Sequence, residues 1–350
     1  MPRELVFDRA SQRFAVRAVD LPPLAPNQAQ VRIELATPKH GTESHAWGRP
    51  VNRGRRWDPE RRIFLDPPAD RPVPAGTLGV GNMAVGMVTR IGAAVETLKP
   101  GDRVYGYMPV RELHQTAAAQ VRLLPDGLTP HAAVCVDPAH VAFVAVRDGK
   151  VRLGDCVAVF GLGAIGLLAV QAARGAGADR VVAVDLLPER RARALRMGAD
   201  AVFDPRDGDV ALAIKDATER RGVDVAIETS GADRAVHDAI RCIMQCGTVV
   251  GVGWGSGSGE GLYLGEEFHV NRPTIVASQA SSYWGNPDRD HPLWDEQRAQ
   301  LVCAALFRRG TFTPDGVLDP IVSLDEAPEV MQAIRESPGR VLKVGIRLNT

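Results

Sequence analysis

Three glycines spaced as G-x-G-x-x-G, namely Gly161, Gly163 and Gly166, separate an apolar run from a helical pattern. The first permits a tight turn, the second lets backbone approach a pyrophosphate, and the third lets the helix pack closely on the strand. Ala164 and Ile165 complete the motif at the expected helix N-terminus, where free N–H groups and the helix dipole favour phosphate. The spacing predicts a dinucleotide-binding corner, and a plain strand–turn–helix corner is the alternative.

A carboxylate follows the next apolar run, residues 181–184. Asp185 lies 19 residues after Gly166, the distance at which an acid accepts the ribose hydroxyls of an adenosine. Its charge would repel a 2′-phosphate, so the sequence favours NAD as the cofactor and makes NADP the less favoured one. Arg190 and Arg191 support the opposite interpretation, because two arginines could receive that phosphate.

Strand and helix patterns alternate around this corner, which predicts a parallel, doubly wound sheet and the α/β class. The strands of this sheet are expected at 156–160, 181–184, 224–228 and 248–252.

The chain before this region has a different pattern of predicted secondary structure. Short strands separated by Pro and Gly are typical of an antiparallel, partly closed sheet. After it, the pattern predicts one helix over 295–309 and one strand over 340–344. We therefore predict a β-rich domain over 1–138, a dinucleotide-binding domain over 139–286, and a return to the first domain over 287–350.

Composition excludes several classes of function. The 350 residues carry 42 basic and 42 acidic side chains, and this zero net charge gives no general attraction to nucleic acid or to an anionic membrane. The N-terminus lacks the pattern of a signal peptide, and no apolar run approaches the roughly 18 residues of a membrane helix. The five cysteines are scattered, and Cys242 and Cys246 are expected to share one helix face. A cytoplasmic protein is the expectation.

An arginine-rich segment, residues 49–71, stands apart from these patterns. It holds seven arginines against four acids, is rich in proline and lacks a clear periodicity. One interpretation is a solvated loop with local ion pairs. The other is a lid that offers cations to a polar or anionic ligand, since a long loop in a compact domain is often functional.

Further short motifs occur in the order of a known family. With the glycine motif, they make the chain resemble the medium-chain dehydrogenase/reductase superfamily over nearly its whole length, and the zinc-type alcohol and polyol dehydrogenases in particular. The resemblance implies a GroES-like β-rich catalytic domain, a Rossmann domain, an active site in the cleft between them, and a homodimer or homotetramer. The motifs are KPGDRV at 99–104, DP at 137–138, ETSG at 228–231 and CGTVV at 246–250.

The resemblance assigns the catalytic residues to one short stretch. The family has a cysteine zinc ligand, a Ser or Thr two residues later and a His five residues later, and these positions are His40, Thr42 and His45 here. Thr42 would hydrogen-bond the substrate oxygen and pass its proton through the cofactor ribose to His45. The alternatives are a turn-capping role for Thr42 and a purely structural histidine at position 45.

The metal ligands of the family are altered in this chain. The three ligand positions are occupied by His40, Asn82 and Asp137, and a neutral amide oxygen is a poor zinc ligand. The four-cysteine lobe that binds structural zinc in the family is absent. We therefore expect no structural zinc. For catalytic zinc two interpretations stay open: its absence, which the sequence favours, and binding by His40, Asn82 and Asp137. Without zinc, an imidazolium at His40 or the amide of Asn82 would polarise the substrate carbonyl.

The resemblance also extends the cofactor site beyond the glycine corner. Arg190 occupies a position that often contacts the ribose, and Thr229 follows a strand whose end would lie beside the adenosine or pyrophosphate. Gly253 is expected near the nicotinamide, and Arg340 matches a basic residue that pairs with the pyrophosphate.

Together these features predict an NAD(H)-dependent oxidoreductase that interconverts a secondary alcohol and a ketone. The substrate is expected to be a polar, medium-sized metabolite of a biosynthetic pathway. Two alternatives stay open: a zinc-free NADPH-dependent enone or quinone reductase, and a dinucleotide-binding sensor without catalysis.

Overall fold

The strands of the chain form one parallel sheet and several largely antiparallel ones. The computed structural model describes residues 1–47, 55–66, 76–253, 259–280, 284–337, 339 and 341–348, except for the side chain of His40. The first compact unit is formed by Met1–Pro50, Pro67–Asp137 and Pro314–Thr350, and the second by Val51–Asp66 and Pro138–Thr313. The boundaries that the sequence predicts between the catalytic and the dinucleotide-binding domains, at 138/139 and 286/287, stay a prediction.

The strands are β1 (Arg3–Asp8), β2 (Arg13–Ala18), β3 (Gln28–Thr37), β4 (Arg56–Asp58), β5 (Ile63–Leu65), β6 (Thr77–Gly79), β7 (Met83–Ile91), β8 (Arg103–Tyr107), β9 (Leu113–Ala117), β10 (Val121–Leu123), β11 (Cys156–Phe160), β12 (Arg180–Val184), β13 (Ala201–Phe203), β14 (Val223–Glu228), β15 (Ile243–Gly251), β16 (Thr274–Ala277), β17 (Ile321–Ser323) and β18 (Gly345–Arg347). The α-helices are α1 (His40–Glu43), α2 (Pro130–Ala133), α3 (Val136–Asp148), α4 (Ala164–Gly175), α5 (Pro188–Arg196), α6 (Val210–Ala217), α7 (Asp233–Cys242), α8 (Glu267–Asn271), α9 (Glu296–Arg308) and α10 (Ala327–Glu336).

The first unit is built on antiparallel pairing. One sheet has the order β10-β8-β7-β3-β18-β17, with β9 also paired to β3, and a smaller sheet has the order β2-β1-β6. Apolar side chains of these strands, such as Val31, Ile33 and Val104, are fully buried. Trp47, just after the stretch with the predicted catalytic residues, is buried as well and packs edge-on against Phe14, with ring centroids 4.9 Å apart.

The second unit contains the six-stranded sheet, in the order β13-β12-β11-β14-β15-β16 with all pairs parallel. This is the strand order of a doubly wound dinucleotide-binding sheet, so that prediction is confirmed. All five residues of β11 are buried, as expected for a strand covered on both faces. The carboxyl ends of β11, β12 and β14 meet at one edge, where such sheets bind their ligands.

The described part of the arginine-rich segment, residues 55–66, forms the hairpin β4–β5. Arg61 pairs with Asp58 at 2.8 Å, and the guanidinium of Arg62 lies 5.6 Å from the ring centroid of Trp57. These contacts support the interpretation as a loop with local ion pairs for this part. Residues 49–54 and 67–71 lie outside the described residues.

Two sequence predictions are wrong. The strand expected at 340–344 is β18, at Gly345–Arg347, because the Lys343 carbonyl accepts the Asp319 N–H at 2.8 Å and the strand ladder starts only beyond it. Cys242 and Cys246 do not share a helix face, since α7 ends at Cys242 and Cys246 lies exposed in β15.

None of the helices in the described ranges combines the length and the apolar character needed to cross a membrane.

Candidate functional site

The predicted glycine corner joins β11 to α4. Gly161 has φ +84°, a conformation that glycine adopts readily, and Gly163 is the N-cap of α4 without any side-chain cap. A Cβ on Gly166 would lie 1.8 Å from the Gly161 carbonyl oxygen, whereas a Cβ on Gly163 would meet nothing within 4 Å. The third glycine thus closes the corner, and the second leaves open space in front of the first turn, where Ala164 and Ile165 lie.

Asp185 faces this corner from the end of β12. Its Oδ2 accepts the N–H of Leu162 at 2.7 Å, and its Oδ1 accepts the N–H of Leu187 at 2.9 Å. Nη1 of Arg190 lies 3.7 Å from Oδ2. Since each carboxylate oxygen has about two lone-pair directions, both oxygens keep capacity for a further donor such as a ribose hydroxyl.

The end of β14 supports the same corner from the other side. The hydroxyl of Thr229 donates to the Gly161 carbonyl at 2.7 Å, so it holds the corner in place. The buried carboxyl of Glu228 accepts the N–H groups of Ser230 at 2.6 Å and Gly231 at 3.0 Å, while burial raises its pKa.

Gly253 lies in close contact with that loop. A Cβ at this position would lie 2.1 Å from the Gly231 nitrogen, so a larger residue would displace the loop. Arg340, predicted to pair with the pyrophosphate, lies outside the described residues.

The predicted catalytic residues of the first unit lie on or next to the short helix α1. The N–H of Thr42 donates to the Lys39 carbonyl at 2.9 Å, and the N–H of His45 donates to the Thr42 carbonyl at 3.3 Å. Thr42 is exposed and His45 half-buried. The Glu43 carboxylate accepts the N–H of Lys39 at 2.8 Å and that of Gly81 at 3.3 Å, which ties this turn to the segment of Asn82.

Asp137, predicted as the third metal ligand, is buried in an ion pair. Nζ of Lys39 lies 3.0 Å from each of its carboxylate oxygens, and the hydroxyl of Tyr107 donates to Oδ1 at 3.1 Å. Burial acts to raise the pKa of Asp137, but the charges of Lys39 and Lys343 outweigh it and lower that pKa. The Asn82 amide also acts to lower the pKa of Asp137. Its Nδ2 makes no hydrogen bond of normal geometry within the described residues.

Lys343 is the second cation of this cluster. Only 3% of the residue is exposed, and its Nζ donates to the Pro38 carbonyl at 3.2 Å. Burial lowers the pKa of Lys343, and the negative charge of Asp137 opposes that shift. We call Lys39, Asp137 and Lys343 the lysine–aspartate cluster.

Of the donors at the family's metal positions, the described ones, Asn82 and Asp137, do not fit a zinc ion, and the side chain of His40 lies outside the described residues. The carboxylate of Asp137 is already bound by an ammonium group, and a metal beside Lys39 would meet like charge. Asn82 offers a neutral amide, and burial raises the pKa of the neighbouring Cys135 thiol to about 12, which disfavours the thiolate that zinc requires. Among the described residues, no three His, Cys, Asp or Glu side chains are grouped to hold a metal.

Sequence reasoning missed Lys39 and Lys343. Lys39 directly precedes the stretch of predicted catalytic residues, and Lys343 interrupts an apolar run near the end of the sequence. A charged residue within an apolar run is the signal that could have indicated a buried polar cluster.

Comparisons with known proteins agree with this fold. The family model described as "Zinc-binding dehydrogenase" matches residues 164–292. D-guloside 3-dehydrogenase of Escherichia coli (strain K12) is 36% identical over 334 residues, covering 91% of this chain and 93% of that protein. (R,R)-butanediol dehydrogenase of Bacillus subtilis (strain 168) is 33% identical over 299 residues, covering 76% and 80%.

A solved structure extends the likeness to the whole chain. The crystal structure of 2R,3R-butanediol dehydrogenase from Bacillus subtilis superposes with a TM-score of 0.77 at 24% identity, covering 100% of both chains. The predicted combination of a GroES-like β-rich domain with a Rossmann domain is therefore confirmed.

The two glycines of the corner give a test that separates folding from ligand binding. Gly163→Ala should change the free energy of unfolding by no more than about 1 kcal/mol, since its methyl group meets open space. It should weaken NADH binding at least about tenfold if backbone must approach the pyrophosphate there. Gly166→Ala should lower stability by about 1–3 kcal/mol or more, because the methyl group overlaps a backbone carbonyl. Urea denaturation and NADH fluorescence titration measure the two effects; equal NADH affinity in Gly163→Ala and wild type would contradict the prediction.

The lysine–aspartate cluster predicts a pH-dependent loss of stability in Asp137→Asn. Removing the carboxylate takes away the ion-pair partner of Lys39 and one of the negative charges that stabilise buried Lys343, which costs about 3 kcal/mol at neutral pH. Because the pKa of Asp137 is lowered in the folded state, its contribution is complete above the unfolded value of about 4 and is lost as pH falls through the folded value. Urea unfolding between acidic and neutral pH tests this. The control is Asp20→Asn, the same change at an exposed position. If Asp137→Asn and wild type have the same free energy of unfolding at neutral pH, or differ by the same amount at every pH, the prediction is wrong.

Proposed function

Because the chain belongs to the medium-chain dehydrogenase/reductase superfamily and is an alcohol oxidoreductase, we propose that it uses NAD(H) to interconvert a secondary alcohol and a ketone. The observation that carries the choice of cofactor is the carboxylate of Asp185, bound to the Leu162 N–H of the glycine corner. An acid at this position can receive the ribose hydroxyls and repels a 2′-phosphate. Thr229 and Gly253 support the corner, and Arg190 lies beside the acid.

The substrate class we propose is a sugar-derived or polyol secondary alcohol. The relative that covers 91% of this chain is a D-guloside 3-dehydrogenase, and another is a butanediol dehydrogenase. Both names describe oxidation of compounds with several oxygen functions. The exposed Thr42 and the ammonium of Lys39 are polar groups suited to such a substrate. A role in biosynthesis stays a prediction.

In the proposed oxidation of an alcohol, Thr42 and His45 near α1 transfer the proton of the substrate hydroxyl. Bound NAD⁺ supplies the hydride acceptor. The hydroxyl of Thr42 binds the substrate hydroxyl and hands its proton toward His45, one helical turn further along the chain.

The reaction also requires a group that stabilises the negative charge on the reacting oxygen, and we assign this role to Lys39. Its side chain is 28% exposed, whereas Asp137 beneath it is buried, so the ammonium presents a fixed positive charge at the surface of the cluster. A preorganised cation of this kind stabilises an alkoxide or polarises a carbonyl without a metal. His40 could share this role through its imidazole, as the sequence suggested.

We also propose that the protein is a homodimer or homotetramer. Within the described residues, β16 is the last strand of the parallel sheet, and no strand pairs with its outer edge. Ile275 on this strand is 47% exposed. Exposed edge strands with apolar side chains are suited to pairing with a second copy.

Turnover with a panel of alcohols tests the proposed function. Purified protein is mixed with NAD⁺ or NADP⁺ and with hexitols, methyl glycosides or butanediol, and NADH or NADPH formation is followed by absorbance. We expect oxidation of at least one polyol or glycoside, with NAD⁺ preferred at least about tenfold in kcat/KM, which corresponds to about 1.4 kcal/mol. Nucleotide binding without turnover across the panel would instead support a sensor, and NADPH-dependent reduction of enones would support the reductase alternative.

Replacement of Lys39 tests the metal-free assignment. Lys39→Met should lower kcat about 100-fold or more, as removal of a charge-stabilising donor does in other active sites, with little change in NADH affinity. Lys39→Arg should retain part of the activity, and added ethylamine should partly rescue Lys39→Ala. Lys99→Met, the same change at an exposed lysine, is the control. Stoichiometric zinc in the purified protein that disappears in Asp137→Asn would contradict the assignment.

A further inference from the structure

Two acids lie side by side at the end of the parallel sheet. Asp185 follows β12 and Asp204 follows β13, and these strands pair through Val184 and Phe203. The N–H of Asp185 donates to the Phe203 carbonyl at 3.3 Å, so the two acids come from adjacent strand ends. Asp185 is the proposed ribose ligand, whereas Asp204 has no part in the proposed function.

Asp204 binds two arginines at once. Nη1 of Arg191 lies 2.9 Å from Oδ2 of Asp204, and Arg206 makes a bidentate contact, with Nε 2.9 Å from Oδ1 and Nη2 2.6 Å from Oδ2. The hydrogen bonds from Arg206 lower the pKa of Asp204, so the acid is charged at neutral pH. The Asp204 side chain is 6% exposed, compared with 18% for Arg191 and 63% for Arg206.

The same two guanidinium groups also reach the backbone beside the ribose-binding acid. Nη1 of Arg191 donates to the Asp185 carbonyl at 2.7 Å, and Nη2 of Arg206 donates to the Leu186 carbonyl at 2.6 Å. Both cations therefore lie next to the acid at which the ribose would bind. Arginine is the side chain that recognises phosphate best, and an arginine near this position is what receives the 2′-phosphate of NADP.

We propose that Asp204 is a second determinant of cofactor choice, which disfavours NADP(H) by keeping Arg191 and Arg206 paired and part of their charge neutralised. Asp185 then repels the 2′-phosphate directly, and Asp204 withholds the two cations that would otherwise attract it. This inference rests on the proposed function in one respect, since it takes the adenosine ribose to lie at Asp185. It makes Asp204 a positioning residue that acts through the arginines.

The test is the binding of NADH and NADPH to the full chain, followed by fluorescence titration. Asp204→Asn keeps the shape and hydrogen-bonding oxygen of the side chain and removes its charge. NADPH affinity should rise about tenfold or more, the worth of one charge-assisted hydrogen bond, while NADH affinity changes less than about threefold. The probe 2′,5′-ADP should gain affinity in the variant, and 5′-AMP should not. The gain should shrink as salt concentration rises, because it is electrostatic.

Two further variants separate this effect from a general change in charge or structure. Asp200→Asn removes a carboxylate at the opposite end of β13, where it pairs with Arg174, and should leave the NADPH/NADH ratio unchanged. Adding Arg191→Gln to Asp204→Asn should remove much of the gained NADPH affinity. If Asp204→Asn fails to fold, Arg206→Gln provides an independent test: it leaves Asp204 less neutralised and should weaken NADPH binding a further few-fold with NADH unchanged.

The outcomes distinguish this inference from the proposed function. Wild-type protein that binds neither NADH nor NADPH overturns the proposed function. Wild-type protein that prefers NADH, combined with an NADPH/NADH ratio that is unchanged in Asp204→Asn or moves equally in Asp200→Asn, overturns only the role of Asp204.

Discussion

The parallel register of β11, β12 and β13 is the constraint from which the nucleotide half of the molecule follows. Phe160 pairs with Val184, and Val184 with Phe203, so the next residues of three strands emerge at one edge. The bond from the Leu162 N–H to the Asp185 carboxylate exists only in this register. A shift by one residue would turn Asp185 to the other face of the sheet and leave the glycine corner without its acid.

The lysine–aspartate cluster shows a different balance of forces in the β-rich unit. Transferring charged groups from water into a protein is unfavourable, and the attraction between them often only offsets that loss. A cluster with two cations and one carboxylate is therefore a poor device for stability alone. The ammonium of Lys39, on a side chain that is 28% exposed, is the charged group of this cluster that an oxidoreductase without the usual metal donors can use.

How much the sequence could predict depended on how local the determining contacts are. The glycine corner and Asp185 were predictable because the motif and its acid follow one another within one strand–helix–strand unit. The partner of Asp137 was not, since Lys39 lies 98 residues away and Lys343 comes from the far end of the sequence. The wrong strand at 340–344 has the same cause: the pairing of Lys343 with Asp319 decides where β18 begins, and periodicity does not show it. The role of Asp204 was not predictable either, because it depends on the pairing of β12 with β13, which places Asp204 beside Asp185.

The division of the chain into its two units has a consequence for synthesis on the ribosome. Pro138–Thr313 emerge before Pro314–Thr350, which complete the β-rich unit. In that unit β9 pairs with β3 at Gln28–Arg32 and β18 pairs with it at Leu35 and Ala36, so this second part of β3 lacks its edge partner for most of translation. The nucleotide sheet can form while its neighbour is incomplete, and domains generally fold in order of emergence. The nascent chain therefore exposes this end of β3 to misassociation for the time that about 300 residues take to be added, and a chaperone that shields it would act in that interval.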